Sequence, residues 1–339
     1  MARLYGLMAD MINIEDKITI LRGRNMIKLF THTDLDGIGC AILAKLAFGT
    51  EVVDVEYCNY DDIDLKVEKY FDSGVEYECH ITDISINEEL AKKIDDIKKE
   101  YRLSYHEKIC WLLDHHSTAL GLNKYEWCKV QIENEETHIK TSGTEMYYHW
   151  LIDNGYLNRS DVLDRFVELV RNYDIWRWST LGDKGIICKQ VNDLLYLYGR
   201  DKFIDWCFTE IYEDSFPWLY ESDLLVLEIE QNNIDNYIKN KNEQMLIMPL
   251  CDKTCGIVFA EKYFSELGNK LCRMHPEIDF VAMIDMRGTV SYRTIKDDID
   301  LGKDVAKLFG GGGHTKAAGS TFANGVQFDV INKIFCNNN

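Results

Sequence analysis

Three short apolar runs near the start of the chain each end in aspartate or histidine, and that repeated ending constrains the fold more than any other feature. Met-Ile-Lys-Leu-Phe from Met26 leads into His32-Thr-Asp34-Leu-Asp36-Gly37, residues 79–82 into Asp83, and residues 109–113 into Asp114-His115-His116. Continuous apolar runs of this length suit strands buried on both faces. Between them lie a small-residue helical pattern over about 38–47, a Val-rich strand pattern over 51–57 and a polar helical stretch near 62–71. A charged helical pattern over 87–99 follows, with Asn87 placed as its N-cap. Strands alternating with helices predict βαβ units and a Rossmann-like α/β domain with a parallel sheet. In such sheets ligands bind beyond the carboxyl ends of the strands, so the Asp and His groups are predicted to converge.

The remaining chain has a different texture. Residues 1–25 are a mixed segment ahead of the first strand. Residues 181–244 are mostly helical, with Pro217 as the strong breaker, and read as a connector without a core of its own. After Met248-Pro249 come short β-type runs at 256–260, 280–286 and 289–294, then a helix at about 303–309 leading into four glycines and His314. These predict a smaller mixed α/β domain, and 339 residues suffice for two cores.

Composition narrows the function classes. No apolar run approaches the roughly 18 to 20 residues of a membrane span, and the N-terminus lacks a basic-then-apolar signal pattern, so a soluble cytoplasmic protein without a membrane partner is expected. The eleven cysteines lie scattered, many inside apolar runs, as small buried hydrophobes do in a reducing compartment. Cys251 and Cys255 have no partner pair at zinc-finger spacing. A formal charge of −19 argues against a long nucleic-acid duplex, whose binding needs a basic track, and leaves room for a short anionic substrate.

Several groups carry chemistry. Alternate residues of an extended segment point the same way, so His32, Asp34 and Asp36 can face one site, and mixed imidazole and carboxylate ligands suit a first-row divalent metal. The same motif could form an ordinary turn at Gly37. Asp83 alone reads as a cap or turn former. Adjacent His115 and His116 after a buried strand each need a hydrogen-bond partner or a metal, and Asp114 can orient an imidazole. Asp174 lies in Arg171-Asn-Tyr-Asp174-Ile-Trp176-Arg-Trp178, where the aromatics suit packing better than base stacking. Ser142 opens a helix at Thr141-Ser142-Gly143 and reads first as an N-cap, second as a phosphate-facing terminus. Gly310–Gly313 with His314 and Ala317-Ala318-Gly319 reads as a loop that brings backbone N–H groups and an imidazole to an anion, with Arg293 as a second phosphate clamp.

In this order, His-x-Asp-x-Asp-Gly, a lone strand-end Asp, Asp-His-His, an Asp before Trp and Gly-Gly-Gly-His-x-x-Ala-Ala-Gly, the motifs resemble the DHH phosphoesterases with their associated C-terminal substrate domain. The match runs from about Met26 to Gly319. The resemblance implies domains at 26–185 (catalytic), 186–245 (helical linker) and 246–339 (substrate-binding), with 1–25 as an extension. It implies two Mn2+ ions, with Mg2+ or Co2+ as substitutes. His32, Asp34 and Asp83 would hold one, and Asp36, Asp83, His115 and Asp174 the other. His116, oriented by Asp114, would touch the scissile phosphate or the attacking water. Arg293, Gly311, Gly312, Gly313 and His314 would bind substrate, and Ser142 joins them as the phosphate-facing helix terminus read above.

Residues 35–49 look like the nanoRNase B type of oligoribonuclease. That likeness implies degradation of very short RNA to mononucleotides, by a chain for which a homodimer is allowed. A phosphodiesterase for cyclic or linear dinucleotides, or a phosphatase for adenosine 3′,5′-bisphosphate, is the alternative within the same chemistry. A non-catalytic nucleotide-binding protein is the alternative outside it.

Overall fold

A computed structural model describes residues 26–74, 77–102, 110–135, 137–323 and 326–335. The expected N-terminal extension, 1–25, lies outside the described residues. The chain divides into two compact units, 1–223 and 224–339.

The first unit is built on a five-stranded parallel sheet of order β2-β1-β3-β4-β5. The strands are β1 (Ile27–His32), β2 (Val53–Cys58), β3 (Glu78–Thr82), β4 (Cys110–Asp114) and β5 (Cys128–Val130). Helices α1 (Leu35–Phe48), α2 (Ile63–Asp72) and α3 (Glu88–Arg102) make the crossovers. The expected βαβ pattern is present, and β1 lies beside β3, so His32 and Asp83 leave neighbouring strand ends. Asn87 caps α3 through its side chain, which accepts from Leu90 N at 2.9 Å. The short strand β5 and the 3-10 turn Ser117–Lys124 before it were not legible in the sequence pattern.

Burial explains why the strands read as continuous apolar runs. On one face Phe30, Ile81 and Leu112 pack with Ile63, Val67 and Phe71 of α2 and Leu90 and Ile94 of α3. Elsewhere α1 packs against α4 (Gly143–Asp153) and α5 (Asp161–Asp174). The helix α1 is buried along most of its length, and its small residues allow a close approach: a Cβ on Gly39 would meet Thr144 Oγ1 of α4 at 2.3 Å.

The region 186–245 is not a bare connector. Helices α6 (Asp183–Tyr198) and α7 (Arg200–Tyr212) bury Val191, Leu194, Phe203, Ile204 and Cys207 within the first unit. Helix α8 (Glu221–Gln244) starts at the end of that unit and gives Ile234 and Ile238 to the core of the second. Helical periodicity was visible in the sequence; which apolar faces find a partner was not.

The second unit holds a mixed six-stranded sheet of order β10-β11-β9-β8-β7-β6. Its strands are β6 (Leu246–Leu250), β7 (Lys253–Phe259), β8 (Phe280–Asp285), β9 (Thr289–Arg293), β10 (Gly312–Gly313) and β11 (Ala317–Thr321). Helix α9 (Phe264–Met274) packs on β8 and β9. Pro249 sits in β6, an edge strand, where a missing N–H is tolerated. Of the expected 303–309 helix, Leu301–Asp304 is α-helical and Ala306–Phe309 is a 3-10 turn. Among the described residues, no helix is long and apolar enough to cross a membrane.

Phe30 is fully buried in the first unit's sheet core. Phe30→Ala should cost about 3–5 kcal/mol, read as a lower urea midpoint for the first unit's transition.

Candidate metal centre

The carboxyl ends of β1, β3 and β4 deliver five of the six expected metal-site residues, and the end of α5 delivers Asp174. Nδ1 of His32 is 2.8 Å from Asp34 and 3.9 Å from Oδ2 of Asp83. Nε2 of His115 is 3.2 Å from Oδ1 of Asp83, and 3.6 Å from each of Asp36 and Asp174. Asp83 thus turns one oxygen to each histidine. His32, Asp34 and Asp83 form one group of convergent metal-type donors, and Asp36, His115 and Asp174 another.

Local structure explains how this many carboxylates are kept together. Asp34 is the N-cap of α1 and accepts from Gly37 N at 3.1 Å, so the turn reading of this motif and the site reading are both realised. Asp36 is buried, and the first turn of α4 grips it: Gly143 N donates to Oδ2 at 2.6 Å and Thr144 N to Oδ1 at 2.9 Å. The Thr144 hydroxyl donates to the Asp36 carbonyl at 2.6 Å. A helix N-terminus stabilises negative charge, and here that charge is a protein carboxylate. Ser142 is fully buried with its hydroxyl accepting from Glu145 N. Its cap role is therefore realised, and the expectation that it contacts substrate gives way, because its oxygen lies inside the fold.

Asp83 has a left-handed backbone, φ 58°, a conformation uncommon outside glycine. A Cβ on Gly143 would meet Asp83 Cβ at 2.4 Å, so α4 can seat against Asp83 only through glycine. Oδ2 of Asp83 is buried and has no hydrogen-bond partner among the described residues.

Burial pushes the Asp83 carboxyl well above the ordinary carboxylate range, and Asp36, Asp34 and Asp174 push it further. Burial and the charges of Asp36 and Asp34 do the same to Asp174. Burial lowers His115 against the opposing pull of Asp36. Asp34 stays below its ordinary value because its contact with His32 overcomes burial. An orphaned buried carboxylate oxygen among mutually repelling carboxylates and imidazoles fits a bound divalent cation, which would supply the missing positive charge.

Behind the cluster, Asp114 is fully buried and accepts from Nδ1 of His116 at 2.7 Å, with Ser85 donating to its other oxygen. This contact holds Asp114 below its ordinary value and His116 above its own, overcoming burial in both cases. Tyr60, after β2, places its hydroxyl 3.1 Å from Nε2 of His116. Sequence reasoning missed Tyr60, although it follows a strand end as the other site residues do. Trp176, two residues past Asp174, has a left-handed backbone (φ 63°) and packs its ring against Trp178.

The remaining expected residues lie together in the second unit. Arg293, on β9, is the register partner of Ala317 on β11, and Gly312 and Gly313 pair with Gly319 and Ala318. Gly311 and Gly313 are closely approached, whereas Gly310 and Gly312 face open space: a Cβ on Gly311 would meet the Gly319 carbonyl oxygen at 2.0 Å. His314 N donates to the Ala317 carbonyl at 2.7 Å. The Arg293 guanidinium donates to the Tyr292 carbonyl and the Ser265 hydroxyl, and among the described residues no carboxylate lies within salt-bridge distance of it.

The sequence is 36% identical over 306 residues to the oligoribonuclease NrnB of Bacillus subtilis (strain 168), an alignment covering 89% of this chain and 74% of that protein. The chain belongs to the DHH phosphoesterases. It is also similar to a 3′,5′-cyclic-nucleotide phosphodiesterase of Helicobacter pylori (strain ATCC 700392 / 26695), 22% identical over 324 residues, 85% of this chain and 90% of that one. No family model matches the chain. Among solved structures, exonuclease RecJ bound to manganese has the same fold, with TM-score 0.54 and 10% identity over 94% of this chain and 92% of that one. RecJ in complex with Mn2+ from Thermus thermophilus aligns with TM-score 0.55 and 12% identity, over 94% of this chain and 52% of that one.

A divalent cation held by this cluster should raise the wild-type Tm, since a ligand of the folded state stabilises it. Gly143→Ala forces α4 away from Asp83, so its Tm should respond much less, with metal affinity down roughly 10- to 100-fold by calorimetry.

Proposed function

We propose that this chain is a manganese-dependent phosphodiesterase that degrades very short oligoribonucleotides to mononucleotides. The observation that carries the reading is the division of donors around Asp83, with one set containing His32 and Asp34 and the other Asp36, His115 and Asp174. In this reading His32, Asp34 and Asp83 hold one ion, and Asp36, Asp83, His115 and Asp174 hold the second. Imidazole and carboxylate donors suit manganese, with Mg2+ or Co2+ as substitutes. The chemistry such a pair of ions supplies is an activated water and neutralisation of charge on the phosphoryl and leaving oxygens.

The chain's own residues do the rest. The α4 N-terminus keeps Asp36 aimed, with two N–H donors on its carboxylate. Asp114 orients His116, so that its imidazole lies beside the scissile phosphate or the attacking water. The second unit is the substrate-binding module, in which Arg293, Gly311–Gly313 and His314 take the substrate's other phosphate or its terminus. A guanidinium with no carboxylate partner suits an incoming phosphate. The net charge of −19 favours a substrate of few phosphates over a long duplex, and the similarity to an oligoribonuclease supports RNA as its class. The reaction suits a cytoplasmic enzyme. The similarity to a cyclic-nucleotide phosphodiesterase favours a second reading, hydrolysis of a 3′,5′-cyclic bond at the same centre.

Purified protein with manganese should convert a labelled diribonucleotide to mononucleotides, and Asp83→Asn should lose at least about 100-fold in kcat, as loss of a shared metal ligand implies. A length series to about ten nucleotides, with a cyclic nucleotide alongside, should show turnover falling with length; a preference for the cyclic bond would select the second reading. Arg293→Ala should act on binding instead. Loss of charge-assisted bonds worth about 1.5–3 kcal/mol predicts a KM raised roughly 10- to 100-fold, with kcat less affected.

A further inference from the structure

The loop after β2 carries none of the residues assigned above to metal or phosphate, yet it reaches the centre of the site. Tyr60, two residues past the end of β2, brings its hydroxyl to 3.1 Å from Nε2 of His116. Its ring centroid is 5.2 Å from that of His32 and meets the His116 ring edge-on at 5.9 Å. On the far side of His116, Nδ1 lies 2.7 Å from Oδ1 of the buried Asp114, whose other oxygen is taken by Ser85. An ionised carboxylate can only accept, so Nδ1 carries the proton. In the neutral ring Nε2 is then an acceptor, and the phenol donates to it. The imidazole is held at both nitrogens, by Asp114 at the end of β4 and by a loop from β2.

Packing is the competing explanation, and exposure weighs against it. A tyrosine retained for packing buries its ring, whereas Tyr60 is 62% exposed. Its defined polar contact is the one to His116. Asp114 fixes only the Nδ1 edge of the imidazole, and a second contact at Nε2 limits the swing of the ring about that edge. Orientation at this level matters, because a displacement of about 1 Å near the reacting atoms can cost roughly 100-fold in rate.

We propose that Tyr60 is a positioning residue for the reaction: by bonding Nε2 of His116 it fixes the plane of the imidazole that faces the scissile phosphate. This inference rests on the phosphodiesterase reading above. Tyr60 acts through His116, and its loss should change turnover rather than metal content or substrate binding.

Tyr60→Phe removes the hydroxyl and keeps the ring. With manganese and a diribonucleotide, kcat should fall roughly 10-fold, the lower end of the range for partners of site histidines. KM should stay within about twofold, since the contact is not one to substrate, and bound manganese per chain should be unchanged. A second readout needs neither metal nor turnover. In metal-free protein labelled with 15N-histidine, the His116 imidazole resonances, identified by their loss in His116→Gln, should report the Nδ1–H tautomer and shift in Tyr60→Phe. Wild-type kcat in Tyr60→Phe, or His116 resonances unmoved by the substitution, would overturn the proposal. A wild type inactive on the dinucleotide counts against the phosphodiesterase reading, and the resonances then decide the Tyr60 contact by themselves.

Discussion

A carboxylate buried where β3 meets α4, with one oxygen unpartnered among the described residues and further carboxylates around it, is costly to keep ionised unless positive charge joins it. Much of the first unit follows from that requirement at Asp83. The parallel sheet sets β1, β3 and β4 side by side, so that one edge presents His32, Asp83 and His115 together. The left-handed backbone of Asp83 and the glycine opposite it at Gly143 let a helix N-terminus approach the cluster. That terminus stabilises Asp36 with two N–H donors, and in the proposed reading Asp83 and Asp174 remain for a cation.

Much of this arrangement was legible in the sequence, and unevenly so. The apolar runs located the strands, because a strand buried on both faces has no polar alternation to confuse the pattern. The convergence of His32, Asp34, Asp36, Asp83, His115 and Asp174 followed from strand order rather than from any one residue; Asp83 and Asp174 taken singly read as caps or packed carboxylates. Tyr60 escaped notice because an exposed aromatic in a loop is commonplace, and its significance lies in reaching a histidine 56 positions away. Ser142 was read correctly as a cap, yet what its helix end holds was invisible, since Asp36 is more than a hundred positions distant. Edge strand β6 hid behind Pro249, and β11 behind a run of small residues whose strand character comes from pairing with β9.

The second unit answers a different physical demand. A chain with a net charge of −19 binds an anion only where local groups outweigh the average field. In the proposed reading Arg293 is such a group: its aliphatic stem packs against Gly268, burial lowers its pKa, and its guanidinium's hydrogen bonds go to neutral oxygens. The adjacent glycine strand pairs with β11, and Gly311 and Gly313 approach β11 too closely for a Cβ. In the proposed reading, the metal-type donors of the first unit and Arg293 of the second serve metal and substrate separately.

Anomalous diffraction from crystals soaked in manganese tests the central claim most directly. The account predicts two peaks, one against His32 and Asp34 and the other against Asp36, His115 and Asp174, with Asp83 touching both. No peak in the cluster, or peaks that leave Asp83 untouched, would contradict it.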